Sequence, residues 1–118
     1  MIVEDDVDTA RTLAYLLRDI GHAVEYAING YAALSLARSF RPDVVLLDLG
    51  LPGLDGVEVA RRLAALPAPA PPRIIAVTAL SAEHARLRLQ GSSIERVLVK
   101  PVSHDVLLQA LEAPPPTP

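Results

Sequence analysis

The chain has 118 residues, 51% of them hydrophobic, with no Cys or Trp and with 14 acidic against 11 basic side chains, for a net charge of −3. That length supports one domain with a single core, the lack of Cys excludes a disulfide framework, a thiolate zinc site and a cysteine nucleophile, and the mild negative charge offers no basic face for nucleic acid. No apolar run approaches the roughly 18 to 20 residues of a membrane span and no basic-then-apolar leader opens the chain, so a soluble, cytoplasmic protein without membrane contact is expected.

In chain order, Met1 to Val3 reads as the stub of a strand. Leu13, Leu16, Leu17 and Ile20 then follow at i, i+3, i+4 and i+7, one face of a helix capped by Asp8 or Thr9 and stopped at Gly21. Ala23 to Ala27 alternates as a second strand, with Val24 and Tyr26 on one face. Asn29-Gly30 reads as a turn, and Ala33, Leu36, Ala37 and Phe40 make a second helical stripe ending before Pro42. Val44 to Leu47 is a continuous apolar run, the signature of a strand covered on both faces. Asp55-Gly56 reads as a turn; Val59, Ala60, Leu63 and Leu66 form a third helix face, and Arg73 to Thr78 repeats the buried-strand pattern. A polar helix from Ser81 to Gln90, a strand from Arg96 to Val99 and a helix from Ser103 to Ala113 complete the series. Pro67, Pro69, Pro71 and Pro72 mark a stiff extended loop, and Pro114, Pro115, Pro116 and Pro118 a tail. Five strand–helix pairs in alternation predict an α/β doubly wound domain with a parallel sheet between two helical layers.

Ligands of such sheets bind beyond the carboxyl ends of the strands. The residues there are Glu4, Asp5 and Asp6 after the first strand, Asp48 after the third, Thr78 after the fourth and Lys100, the chain's only lysine, after the fifth. Read singly, Asp6 or Asp8 is an ordinary helix N-cap, Thr78 a β-branched strand residue, and Lys100 a side chain snorkelling from a strand end. Asp48 is different. It ends a buried apolar run, where an uncompensated charge costs several kcal/mol or shifts its pKa until it is neutral. Carboxylates gathered in one crevice repel, and a divalent cation together with a lysine relieves that repulsion. With oxygen donors and neither Cys nor a well-placed His, Mg²⁺ or Mn²⁺ fits better than zinc. Mg²⁺ favours sites that also receive phosphate oxygens, which makes Asp48 a candidate carboxylate nucleophile for a phosphoryl group.

Glu4-Asp5-Asp6, the run from Val44 through Asp48, Gly50 and Pro52 to Gly56, Val77-Thr78-Ala79 and Val99-Lys100-Pro101 together resemble the receiver domain of two-component response regulators, over residues 1–113. The resemblance implies a flavodoxin-like (βα)5 domain with strand order 2-1-3-4-5, and leaves 114–118 as a tail or linker start. It implies that Asp48 accepts a phosphoryl group from a phosphohistidine of a histidine kinase or histidine phosphotransfer protein. It further implies that Asp5 ligates Mg²⁺ directly, Glu4 acts through a metal-bound water, Asp48 and the Gly50 carbonyl complete the metal site, Thr78 and Lys100 hold phosphoryl oxygens, and Lys100-Pro101 is cis. A homodimer through the fourth helix, last strand and last helix would follow the same pattern, with an unidentified downstream effector.

Four features bear on mechanism. The first strand is shorter than the pattern implies. Val97 stands where many members carry an aromatic ring. Gly50 and Leu80, two residues past the acceptor and past Thr78, offer no side chain to orient water, which implies slow loss of the phosphoryl group. The charges Arg86, Arg88, Glu95 and Arg96 do not match the pairing used by dimeric DNA-binding members, and the stretch from Leu98 to Val102 looks more like receivers attached to hybrid kinases. His22, His84 and His104 read as surface residues, and Tyr15, Tyr26, Tyr31 and Phe40 are too dispersed for base stacking. Two other functions remain open: a binding module with the fold but no phosphorylation, and a Mg²⁺-dependent aspartyl phosphohydrolase. The second usually needs another acid where Gly50 stands.

Overall fold

A computed structural model describes residues 1–67, 71–79 and 92–114. Its strands are β1 (Ile2–Val3), β2 (Tyr26–Ala27), β3 (Val44–Asp48), β4 (Arg73–Thr78) and β5 (Ile94–Val99), and its helices α1 (Val7–Asp19), α2 (Gly30–Phe40), α3 (Gly56–Ala64) and α4 (His104–Glu112). The predicted helix over 81–90 lies outside the described residues, together with Leu80, His84, Arg86 and Arg88. All strand pairs are parallel, in the order β2-β1-β3-β4-β5, so the expected doubly wound sheet is the fold of the chain.

Alternation along β3 and β4 builds a core on each face. Val45, Leu47, Ile74 and Ala76 pack with Ala33 of α2 and Val59 and Leu63 of α3. Leu46 and Ile75 point the other way, onto Ala10, Ala14 and Leu17 of α1 and Leu107 and Ala110 of α4. These strands are buried on both sides, which is why they read as continuous apolar runs.

Several local expectations are corrected. Helix α1 is capped by Asp6, whose carboxylate accepts from the Thr9 N–H at 3.1 Å, rather than by Asp8 or Thr9. Its buried stripe is Ala10, Ala14 and Leu17 with Leu13 half-buried beside them, and Ile20 is 54% exposed. Small alanines let the helix sit close to the sheet, which turns the larger Leu16 and Ile20 toward the rim. Strand β2 is shorter than 23–27, although Val24 is buried, and β5 begins two residues early, at Ile94.

Asn29-Gly30 and Asp55-Gly56 are helix starts, not free-standing turns. Asn29 accepts from the Ala32 N–H at 2.7 Å and Asp55 from the Val57 N–H at 2.8 Å, the usual N-cap arrangement. Each following glycine permits close packing: a Cβ on Gly30 would lie 2.6 Å from Val59 Cγ2, and one on Gly56 2.9 Å from Leu49 Cδ2.

Candidate functional site

The strand register gathers the candidate residues. Val3 pairs with Leu47, so Glu4 leaves β1 beside Asp48; Asp48 pairs with Val77 and Thr78 with Val99, so Lys100 follows one step beyond. The Lys100 N–H donates to the Thr78 carbonyl at 2.7 Å, which ties the ends of β4 and β5 together. Lys100-Pro101 is cis, as the resemblance implies.

Among the described residues, Glu4, Asp48 and Thr78 are the buried polar side chains, at 8%, 7% and 2% exposure, while Asp5 is exposed. Both carboxylates have partners. Lys100 Nζ donates to Asp48 Oδ2 at 3.0 Å and to Glu4 Oε2 at 3.3 Å. The Gly50 N–H donates to Asp48 Oδ1 at 2.8 Å, and the Asp6 N–H to Glu4 Oε1 at 3.2 Å. Each carboxylate is therefore fixed by one backbone N–H and the shared ammonium. Lys100 was legible from sequence as the counter-charge. The Gly50 and Asp6 amides were not, because any residue carries an N–H and only the chain path aims it.

Charge is unbalanced here. Burial pushes the Glu4 carboxyl above its ordinary range; the Asp6 N–H opposes this, and the Asp48 charge adds to it more than Lys100 relieves it. For Lys100, burial works against the ammonium, but the hydrogen bond and charge of Asp48, with the charge of Glu4, outweigh it and hold its pKa above the usual lysine value. One lysine thus faces three acids.

Glu4, Asp5 and Asp48 each offer a carboxylate oxygen, and these oxygens lie within 4.8 Å of one another. An all-oxygen donor set with excess negative charge fits a small hard cation such as Mg²⁺ or Mn²⁺. The structure therefore brings Glu4, Asp5, Asp48, Gly50 and Lys100 into one cluster, with Thr78 buried at the end of the adjoining strand.

Known proteins resemble the chain over most of its length. Residues 1–112 match the family model described as the response regulator receiver domain. The chain is 40% identical over 117 residues to the positive alginate biosynthesis regulatory protein of Pseudomonas aeruginosa, covering 95% of this chain and 45% of that protein. It is 33% identical over 113 residues to protein PilH of the same species, covering 96% of this chain and 93% of that one. It therefore spans less than half of the first relative and nearly all of the second. Among solved structures, a response regulator protein from Burkholderia pseudomallei, determined with a phosphorylated aspartic acid and a calcium ion, superposes with a TM-score of 0.84 at 28% identity, over 95% of this chain and 65% of that one.

Proposed function

Because the chain belongs to the response regulator receiver domain family of two-component systems, we propose that it is a phosphoacceptor switch in which Asp48 takes a phosphoryl group from a phosphohistidine on a histidine kinase or histidine phosphotransfer protein. The observation that carries this is the posture of Asp48: a buried carboxylate held between the Lys100 ammonium and the Gly50 N–H, beside two further acids. Receiver domains of this family are signalling modules rather than classical enzymes, and the chemistry proposed here is self-modification.

In the transfer, a carboxylate oxygen of Asp48 attacks phosphorus as the bond from phosphorus to imidazole nitrogen breaks. The imidazole leaves with that electron pair and is protonated, and Asp48 becomes an acyl phosphate. Glu4, Asp5 and Asp48, with the Gly50 carbonyl, would hold Mg²⁺, which supplies positive charge to the phosphoryl oxygens. Lys100 neutralises a phosphoryl oxygen as a mobile point charge, giving up part of its contact with Asp48. The Thr78 hydroxyl donates to another. With Val97 in place of an aromatic ring, the change at Thr78 passes into backbone and helix shifts on the face read by a downstream effector. A homodimer would use the face of β5 and α4, where Val99 and Val106 are exposed. No helix among the described residues is long and apolar enough to cross a membrane, and the proposed exchange with a histidine kinase places the site of action in the cytoplasm.

Phosphoramidate with Mg²⁺, followed by intact-mass measurement, tests the reading. A gain of one phosphoryl group, lost on removal of Mg²⁺ and absent in Asp48→Asn, is expected; no gain overturns it in favour of a binding module, and turnover of free phosphate esters in favour of a hydrolase. The adduct should also be long-lived. A Cβ at Gly50 would stand only 3.4 Å from Asp48 Oδ1, so this position overlooks the acyl phosphate yet presents no group to orient water. Loss of the adduct within seconds, with no partner present, would contradict this.

A further inference from the structure

Helices α1 and α4 share one face of the sheet but stand apart, leaving a cleft of about 690 Å³ that opens beside Glu4, Asp48 and Lys100. Its apolar walls include Leu13 and Leu16 of α1, Leu46 of β3 and Leu107 of α4. The gap has a cause in the packing. Helix α1 rests on the sheet through Ala10 and Ala14 as well as Leu17, and α4 through Ala110 as well as Leu107, so the alanines among the seating side chains leave part of the space between the helices unfilled. Leu13 and Leu16 are left half-buried. A volume of this size, apolar within and polar at one end, suits a small organic ligand.

Charge at the mouth selects the class of ligand. Glu4, Asp8 and Asp48 line it against Lys100, with His104 nearby, and Lys100 is already shared between Glu4 and Asp48. An anionic head would meet excess negative charge, whereas a cationic one would be attracted. We propose that the cleft binds a small amphipathic cation, an amine bearing an apolar chain, with its ammonium beside Asp8 and Glu4 and its chain between α1 and α4. Glu4 also belongs to the carboxylate group suited to Mg²⁺, so the amine opposes the ion and lowers phosphoryl acceptance. That regulatory consequence rests on the phosphoacceptor reading; the binding itself does not.

The test is calorimetric titration of the metal-free chain with butylamine, hexylamine and octylamine, beside octanol and octanoate. Affinity should rise about threefold to fourfold for each methylene the cleft encloses. Octylamine should bind about tenfold tighter than octanol, octanoate should not bind, and Mg²⁺ should weaken the amine. Asp8→Asn should narrow the gap between amine and alcohol while keeping the dependence on chain length. Leu16→Trp, which fills the cleft away from the carboxylates, should abolish octylamine binding while retaining Mg²⁺ binding as the check on folding. Octanoate binding as well as octylamine, or undiminished octylamine binding by a folded Leu16→Trp, overturns the proposal. None of these titrations involves phosphorylation. Failure of the phosphoacceptor reading would show separately, as no mass gain with phosphoramidate in ligand-free protein.

Discussion

The two ends of the sheet carry charge in opposite ways. At the carboxyl ends of the strands, Glu4 and Asp48 share one lysine, with the Asp5 carboxylate beside them. At the amino ends, Arg73 of β4 meets Glu95 of β5 in a two-pronged ion pair at 2.6 and 2.9 Å, and donates further to the Leu111 carbonyl in the last turn of α4 and the Ala113 carbonyl just beyond it. Arg96 adds a bond to the Pro114 carbonyl at 2.8 Å. The lower cluster is mostly matched, with the Arg96 Nε left without a hydrogen-bond partner among the described residues, and it holds the last helix to the sheet. The upper cluster is short of positive charge, a deficit that a metal ion can fill.

Asp48→Asn should break this comparison most completely. Phosphoramidate labelling should vanish, while thermal stability should hold or rise, because one of three crowded acids has gone and the amide can still accept from the Gly50 N–H. A large fall in melting temperature would mean that the carboxylate is structural. Glu95→Ala should do the reverse. It leaves the Arg73 guanidinium half-buried without its bidentate partner, which should cost about 2 kcal/mol of unfolding free energy, below the figure for fully buried pairs because both side chains keep some water. Labelling of Asp48 should be unaffected. Urea denaturation and intact mass on the same samples check both halves.

What could be foreseen from sequence follows the same division. Strands β3 and β4 were legible because both faces are buried and no polar residue interrupts the run, and Asp48 was legible because it ends such a run. Elements whose reason lies elsewhere in the chain were not. The start of β5 is hidden by Glu95, a polar residue that belongs in the strand because Arg73 faces it from 22 positions earlier. In α1 the expected Leu13 and Leu17 do face the sheet, but Ala10 and Ala14 complete the contact in place of Leu16 and Ile20, because large side chains dominate an apolar pattern while close packing favours alanine. Asn29-Gly30 and Asp55-Gly56 carry the residues of a tight turn, and only the approach of Val59 and Leu49 to the glycines shows why they open helices instead.

A single charge at the amino end tests whether matching is the rule there. The Met1 ammonium donates to the Val44 carbonyl at 2.8 Å, and burial lowers its pKa from 8.0 to about 6, against a smaller opposing pull from Asp43. The sign follows from proton uptake. Between these two values the unfolded chain binds a proton that the folded chain does not, so stability falls as pH drops from 8 toward 6 and levels off below. At ~1.4 kcal/mol per pKa unit, the loss should be about 2 kcal/mol. Urea midpoints at pH 6, 7 and 8 should show it, and acetylation of the amine should flatten the profile.

The smallest effect separates matched charge from useful charge. Glu58 on α3 is bridged by Arg61 and Arg62, which together hold its carboxyl down at about 2. Yet the cluster stands in solvent, where water and salt would serve each partner nearly as well, and three long side chains lose rotamer freedom to form it. Glu58→Gln should therefore leave the urea midpoint unmoved at moderate salt, in contrast to Glu95→Ala with the same kind of partner. Equal losses from the two substitutions would show that ion pairing alone, without burial, fixes the lower half of the domain. The expected inequality would show that an arginine–glutamate pair stabilises this fold only where the sheet and the end of α4 have already excluded most of the water.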